Sequence, residues 1–187
     1  MQKISEEGYK VSISGTGADE LFSGYYDHHN FYIAELKEDD DAYQLAKKNW
    51  NKFISPIVRN PFLKNPDLFV ENINFRDHIY LNNETFSNYF YKNWSESFYE
   101  KKFNKFILRN RMLNELFEET VPVILHEDDL NSMYFSIENR SPFLDKNLFE
   151  YAYSIPTKYL IKDGKAKSVL RDSMESLVPK KILQSRR

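Results

Sequence analysis

Apolar and polar residues alternate over Lys10–Ser14 (KVSIS), the period of a short strand, and the pattern breaks at a glycine turn over Ser14–Gly17. Helical spacing takes over at Ala18, where Leu21, Tyr25, Tyr32 and Leu36 predict one helix running to about Leu36. Asp39, Asp40 and Asp41 read as a cap for a second helix, DAYQLAKKNWNKFI, ended by Pro56. Prolines and asparagines cluster from Ile57 to Asn83 and predict short turns and loops. From Lys92 to Thr120 an imperfect stripe of Phe98, Phe103, Phe106, Leu113, Leu116 and Phe117 predicts a further helix. Pro122 suits the start of a short helix to Glu127, and Leu130, Met133, Tyr134 and Ile137 share one face of another that begins near Asp129 and stops before Pro142. Asp145 is placed to cap a helix carrying Leu148, Phe149 and Ala152, which halts at Pro156. Tyr159–Ile161 reads as a brief extended piece turning at Asp163 and Gly164, and Ala166 to Leu177 as the last helix, before Pro179. The chain is thus expected to be mostly helical with two or three short strands at most. A lone strand near the start cannot be a stable sheet and needs neighbours.

Composition narrows this picture. The 187 residues suffice for one sizeable domain or two small ones, and 41% hydrophobic against 29% charged residues fits a folded chain. A formal net charge of -2 offers no nucleic-acid footprint. Without cysteine there is no disulfide, cysteine-ligated zinc or cysteine nucleophile in the chain. Neither a signal-peptide pattern nor a membrane-length apolar run is present, so a cytoplasmic location is expected, with no membrane partner. The 13 Tyr and 15 Phe imply helix packing through large rings.

Candidate chemistry gathers at three places. A glycine loop opening onto a helix suits an anion, because free N–H groups and the helix dipole favour negative charge there. Asp19 and Glu20 follow at once and could hold a divalent cation beside it. The alternative is an ordinary turn at Gly15 and Gly17, with the two carboxylates complementing a helix start. Lys165 and Lys167 sit where a helix begins, against its dipole, which a bound anion would explain, with Lys167 and Arg171 as an i,i+4 cationic pair. An exposed basic surface paired with Asp172 and Glu175 explains it equally. Glu138, four residues after Tyr134 at the apolar edge of its predicted helix, is either a structural partner of Arg140 or an acid, base or orienting carboxylate facing the loop. The adjacent His28 and His29 would point about 100° apart on a helix, an unfavourable arrangement for a shared metal.

Three blocks, SGTGADELFSGY at Ser14–Tyr25, DLNSMYFSIENRSPFLD at Asp129–Asp145 and GKAKSVLRDSMESLVPKKI at Gly164–Ile182, together resemble the later part of the ATP-dependent synthetase domain of the asparagine synthetase family. The resemblance implies an α/β fold, part of an adenine-nucleotide alpha-hydrolase-like (ATP pyrophosphatase) domain with a twisted parallel sheet, and assigns residues 1–187 to its C-terminal portion. It implies that ATP activates a carboxylate, aspartate or another acid, as an acyl-adenylate with release of pyrophosphate. Ammonia, drawn from glutamine by a glutaminase domain outside this chain, or an amine then forms the amide. By matching position, Ser14, Gly15, Thr16 and Gly17 would form the nucleotide-side loop, Asp19 would ligate Mg2+, Glu138 would be the site carboxylate and Lys167 would meet the phosphates. Glu20, Arg140, Asp145 and Arg171 would support them. Thr16 stands where asparagine-forming members usually carry an acidic residue and a β-lactam-forming relative a tyrosine, which leaves nucleophile and product open. Leu130 replaces an arginine common after the matching aspartate, and the family's SGGxDS pyrophosphate loop is not in the sequence. The chain therefore reads as a fragment expected to be inactive by itself, or else as a non-catalytic remnant or assembly subunit that keeps the helical fold.

Overall fold

A computed structural model describes residues 1–80, 83–93, 96 and 98–185. Helix α1 (Gln2–Glu6) leads into strand β1 (Val11–Ile13) and the glycine loop, after which α2 (Ala18–Phe22) and α3 (Tyr26–Glu35) are separate helices. The single helix expected to reach Leu36 is broken because Ser23 adopts a left-handed φ of 62° and ends α2 after five residues. Helix α4 (Asp40–Phe53) starts where expected, its Asp39 cap accepting a hydrogen bond from the Ala42 N–H at 3.1 Å. Short helices α5 (Leu68–Glu71) and α6 (Asn83–Ser87) punctuate the loop-rich segment that follows.

The helix expected from Lys92 is a correction. Its described residues up to Lys105 are irregular, and helix α7 spans only Ile107–Asn114; positions 94, 95 and 97 lie outside the described residues. Side-chain amides explain the irregular run, since Asn110 Oδ1 accepts from the Phe103 and Asn104 N–H groups and Asn114 Oδ1 from that of Lys101. These give the backbone partners outside a helical ladder. After α7, a π-helical segment (Glu115–Glu119) passes directly into α8 (Thr120–Tyr134), so the two helices expected around Pro122 and Asp129 are one. The wider π turn lies just before the proline, which lacks the N–H that a regular ladder requires.

Ser136, at φ 55°, turns the chain out of α8 into strand β2 (Glu138–Arg140). β1 and β2 pair in parallel, Val11 against Glu138, Ser12 against Asn139 and Ile13 against Arg140, so the strand finds its neighbour more than a hundred residues downstream. Asp145 caps α9 (Lys146–Ser154) as expected, accepting from the Leu148 N–H at 3.0 Å. The turn at Asp163–Gly164 is present, with both residues left-handed, and Lys162 and Lys165 bridge across it. The expected extended piece is instead a 3-10 turn over Thr157–Tyr159, and the final helix divides into α10 (Ser168–Ser173) and α11 (Lys180–Leu183).

Two apolar clusters hold these elements. In one, α3, α4, α5 and α7 meet through Phe31, Ile33, Trp50, Phe69, Leu108 and Met112. In the other, α2 and α9 close on the π segment through Leu21, Phe22, Leu116 and Ala152. The mostly helical α/β character is as expected, with a two-stranded parallel sheet among the described residues. None of their helices is long and apolar enough to cross a membrane.

Candidate functional site

The site is built where β1 ends. α2 places Asp19 in its first turn, and the turn from Lys162 to Lys165 delivers Lys167 across from it. The Lys167 N–H donates to the Phe22 carbonyl at 3.1 Å, and Lys167 itself is left-handed, with φ 55° and ψ 34°. An L-residue held there is strained, a feature that clusters at functional positions. Its ammonium meets Asp19 Oδ1 at 2.7 Å, with side-chain exposures of 27% and 33%.

Gly24 makes that meeting possible. A Cβ at this position would lie 1.6 Å from Asp19 Oδ1 and 2.4 Å from Lys167 Cε, so the ion pair rests directly on bare main chain. The pair opens on a cleft of about 190 Å³ whose walls also include Tyr26, His29, Gly164 and Arg171. Arg171 reinforces the frame: its guanidinium donates to the carbonyls of Ala166, Ile182 and Leu183, tying α10 to α11. No ion pair joins Arg171, Lys165 or Lys167 to Asp172 or Glu175 among the described residues.

The remaining predicted residues fall in other places. Ser14 and Thr16 form a hydroxyl group of their own with Ser141, Ser14 Oγ lying 3.1 Å from Thr16 and 2.8 Å from Ser141. Gly17, at φ 95°, packs on Leu144, whereas Gly15 faces open space. Because α2 is one short turn, its dipole adds little, and positive charge in the site comes from Lys167. Glu20 is buried and accepts a hydrogen bond from Tyr25, so Asp19 is the carboxylate that reaches the cleft. Burial first, and Glu20 second, push the Tyr25 phenol well above its usual range.

Glu138 departs most from expectation. It lies on β2, not on a helix, and is exposed, with Arg140 Nε donating to its carboxylate at 2.9 Å. That bond holds Glu138 below the usual carboxylate range. The parallel register sets it beside Val11, three residues before Ser14, so Glu138 and the Asp19–Lys167 pair are not in contact.

Sequence reasoning missed Gly24 and also a buried charge network next to the site. Asp27, His28 and Glu115 bring potential metal-ligand atoms within 4.8 Å of one another. Arg111 already supplies the cation, its Nε 3.0 Å from Glu115 and 3.8 Å from Asp27, while His28 Nε2 lies 2.7 Å from Glu115. Arg76 extends the network to Glu96 and Glu119. The signal in the sequence was the run of charged residues between Glu96 and Glu119, which helical periodicity assigned to a solvated face.

Comparison with known proteins points to one family. The asparagine synthase family model matches residues 1–187. The glutamine-hydrolyzing asparagine synthetase 1 of Bacillus subtilis strain 168 is 23% identical over 203 aligned residues, covering 99% of this chain and 31% of that protein. Asparagine synthetase 3 of the same organism is 27% identical over 182 residues, covering 95% of this chain and 26% of that protein. A putative asparagine synthetase of Methanocaldococcus jannaschii is 44% identical over 54 residues, 26% of this chain. The chain thus spans less than a third of the length of these relatives. No solved structure gives a significant match.

Proposed function

Because the chain belongs to the asparagine synthase family, we propose that it forms the C-terminal portion of an ATP-dependent, amide-forming synthetase domain. The observation that carries this reading is the Asp19–Lys167 pair, which joins two motif blocks far apart in sequence over a glycine that leaves them room. An oxygen of the substrate carboxylate attacks the α-phosphorus of ATP, the bond to the β-phosphate breaks, and pyrophosphate leaves with its electron pair. A nitrogen nucleophile then attacks the acyl carbon and AMP departs. In this reading Lys167 contacts the phosphates and stabilises the charge that develops on their oxygens. Ser14, Gly15, Thr16 and Gly17 shape the nucleotide-side loop, and Glu138, kept anionic by Arg140, is the carboxylate that orients the nucleophile or accepts its proton. Glu20, Asp145 and Arg171 keep the frame in place through Tyr25, α9 and the α10–α11 junction.

Asp19 fits a magnesium site of the kind completed by substrate, since Mg2+ is usually bound through one or two carboxylates together with phosphates and water. When bound, the ion would offset phosphate charge. The relatives are named as glutamine-hydrolyzing, and here ammonia released from glutamine by a domain outside this chain is the proposed donor, with aspartate or another acid as acceptor.

ATP–pyrophosphate exchange dependent on the acceptor acid tests the reading. In the full synthetase polypeptide, Lys167→Ala is expected to lower exchange at least about a hundredfold. Unchanged exchange removes Lys167 from the chemistry.

A further inference from the structure

Asp19 and Lys167 are proposed above to receive opposite ligands, a cation and a phosphate, yet in the structure they satisfy each other at 2.7 Å. Resting on that nucleotide-site reading, we infer that the pair is an exchange lock: a divalent cation and a phosphate group enter together because each takes over one member of it.

Among the described residues, no ion pair other than the one they form with each other is seen for Asp19 or Lys167. Glu20, the nearest carboxylate in sequence, is buried against Tyr25. Arg171, also lining the cleft, is held in place by three main-chain carbonyls through Nε and Nη1. A cation arriving alone must displace the Lys167 ammonium from Asp19 and leave it alongside, where it repels the newcomer. A phosphate arriving alone must pull Lys167 away and leave Asp19 unpaired next to its own negative charge. Both charges are about two-thirds removed from water, which makes an unpaired state costlier than on an open surface. The joint arrival restores both partnerships in one step. The exchange asks only for side-chain movement, with the Lys167 N–H anchored on the Phe22 carbonyl and Gly24 directly beneath the pair.

The lock makes a counter-intuitive prediction for this chain. Lys167→Met frees Asp19, so the affinity for Mn2+ alone, read as free ion by electron paramagnetic resonance, should rise about two- to fivefold. Asp19→Asn frees Lys167, so the affinity for inorganic pyrophosphate in chelator, read by calorimetry, should rise by about the same factor. Both substitutions keep side-chain size and approach the pair from opposite sides, so failure of one to fold leaves the other decisive; far-UV circular dichroism monitors the fold. If Lys167→Met leaves Mn2+ affinity unchanged and Asp19→Asn leaves pyrophosphate affinity unchanged, while each abolishes binding of its own ligand, the lock is overturned and the nucleotide-site reading stands. If neither probe binds the wild-type chain or either variant, the lock is overturned, and the nucleotide-site reading is decided separately by pyrophosphate exchange in the full synthetase polypeptide.

Discussion

At Gly24 one methyl group decides whether Asp19 and Lys167 meet. The position is not left-handed, so alanine is allowed by the backbone; the three atoms nearest the added carbon all belong to two side chains, Asp19 Oδ1 at 1.6 Å and Cγ at 2.4 Å and Lys167 Cε at 2.4 Å. Gly24→Ala should therefore fold but part the pair. The check is a double-mutant cycle on urea stability. Asp19→Asn and Lys167→Met should show a coupling of up to about 1 kcal/mol in the wild-type background and almost none in Gly24→Ala. Equal couplings in both backgrounds would show that the pair does not depend on this close approach. At this scale the charged residues were legible before the structure. Lys167 stood against a helix dipole, and Asp19 followed a glycine turn. Gly24 was not legible, because its constraint comes from the Asp19–Lys167 pair, which exists only once the fold brings Lys167 across from a distant part of the chain.

Helices α3 and α7 and the π segment trap a proton-linked network between them. Burial alone would lower the His28 imidazole, but Glu115 outweighs it and the group is raised above its usual 6.5. Burial likewise raises Glu115, partly offset by His28 and Arg111, so the pair holds its proton more firmly than either group would in the unfolded chain. Both raised groups contribute stability that is complete below their ordinary values and is lost as pH rises through the folded-state ones. Asp27 works in the opposite direction. Burial raises it, but His78, then His28 and Arg111, hold it well below the usual range, so its contribution is present above 3.8 and lost as pH falls through the folded-state value. The melting temperature should thus decline as pH climbs past 6.5. His28→Gln should destabilise the fold at pH 6 by about 1–3 kcal/mol, since Arg111 still faces Glu115, and flatten that decline. Parallel pH profiles for the two proteins, by circular dichroism, would exclude His28 as its source. The elements of this network show where sequence reading fails. The caps Asp39 and Asp145 were legible because their hydrogen bonds are local. The π segment joining two helices across Pro122 was not, nor was β2, where the helical spacing Leu130, Met133, Tyr134, Ile137 runs straight past a turn made by Ser136, with no glycine or proline to announce it.

For the molecule as a whole, the two-stranded sheet is the informative feature. Parallel strands are ordinarily covered on both faces and rarely occur as a pair. Here Ile13 is 76% exposed, Val11 and Tyr9 are exposed beside it, and Leu130, Met133 and Tyr134 on nearby α8 are also open to solvent. The helical surroundings were readable from the chain itself, but β1 could be given a partner only once the fold had brought β2 to it. The Bacillus subtilis relatives carry more than two-thirds of their length outside the matched stretch. If this chain is the C-terminal portion of a synthetase domain, the outer face of β1 is covered in the full polypeptide, and Ile13 reports that covering. In the isolated chain Ile13→Lys replaces one exposed side chain with another and should change stability by less than about 0.5 kcal/mol. In a full-length synthetase the same substitution would bury an unpaired ammonium and should cost several times more, about 3 kcal/mol or above. Urea unfolding of the two pairs of proteins makes the comparison. Equal and small costs in both contexts would mean that the β1 face stays open in the complete molecule, and would favour a helical subunit whose sheet is no part of a larger nucleotide-binding domain.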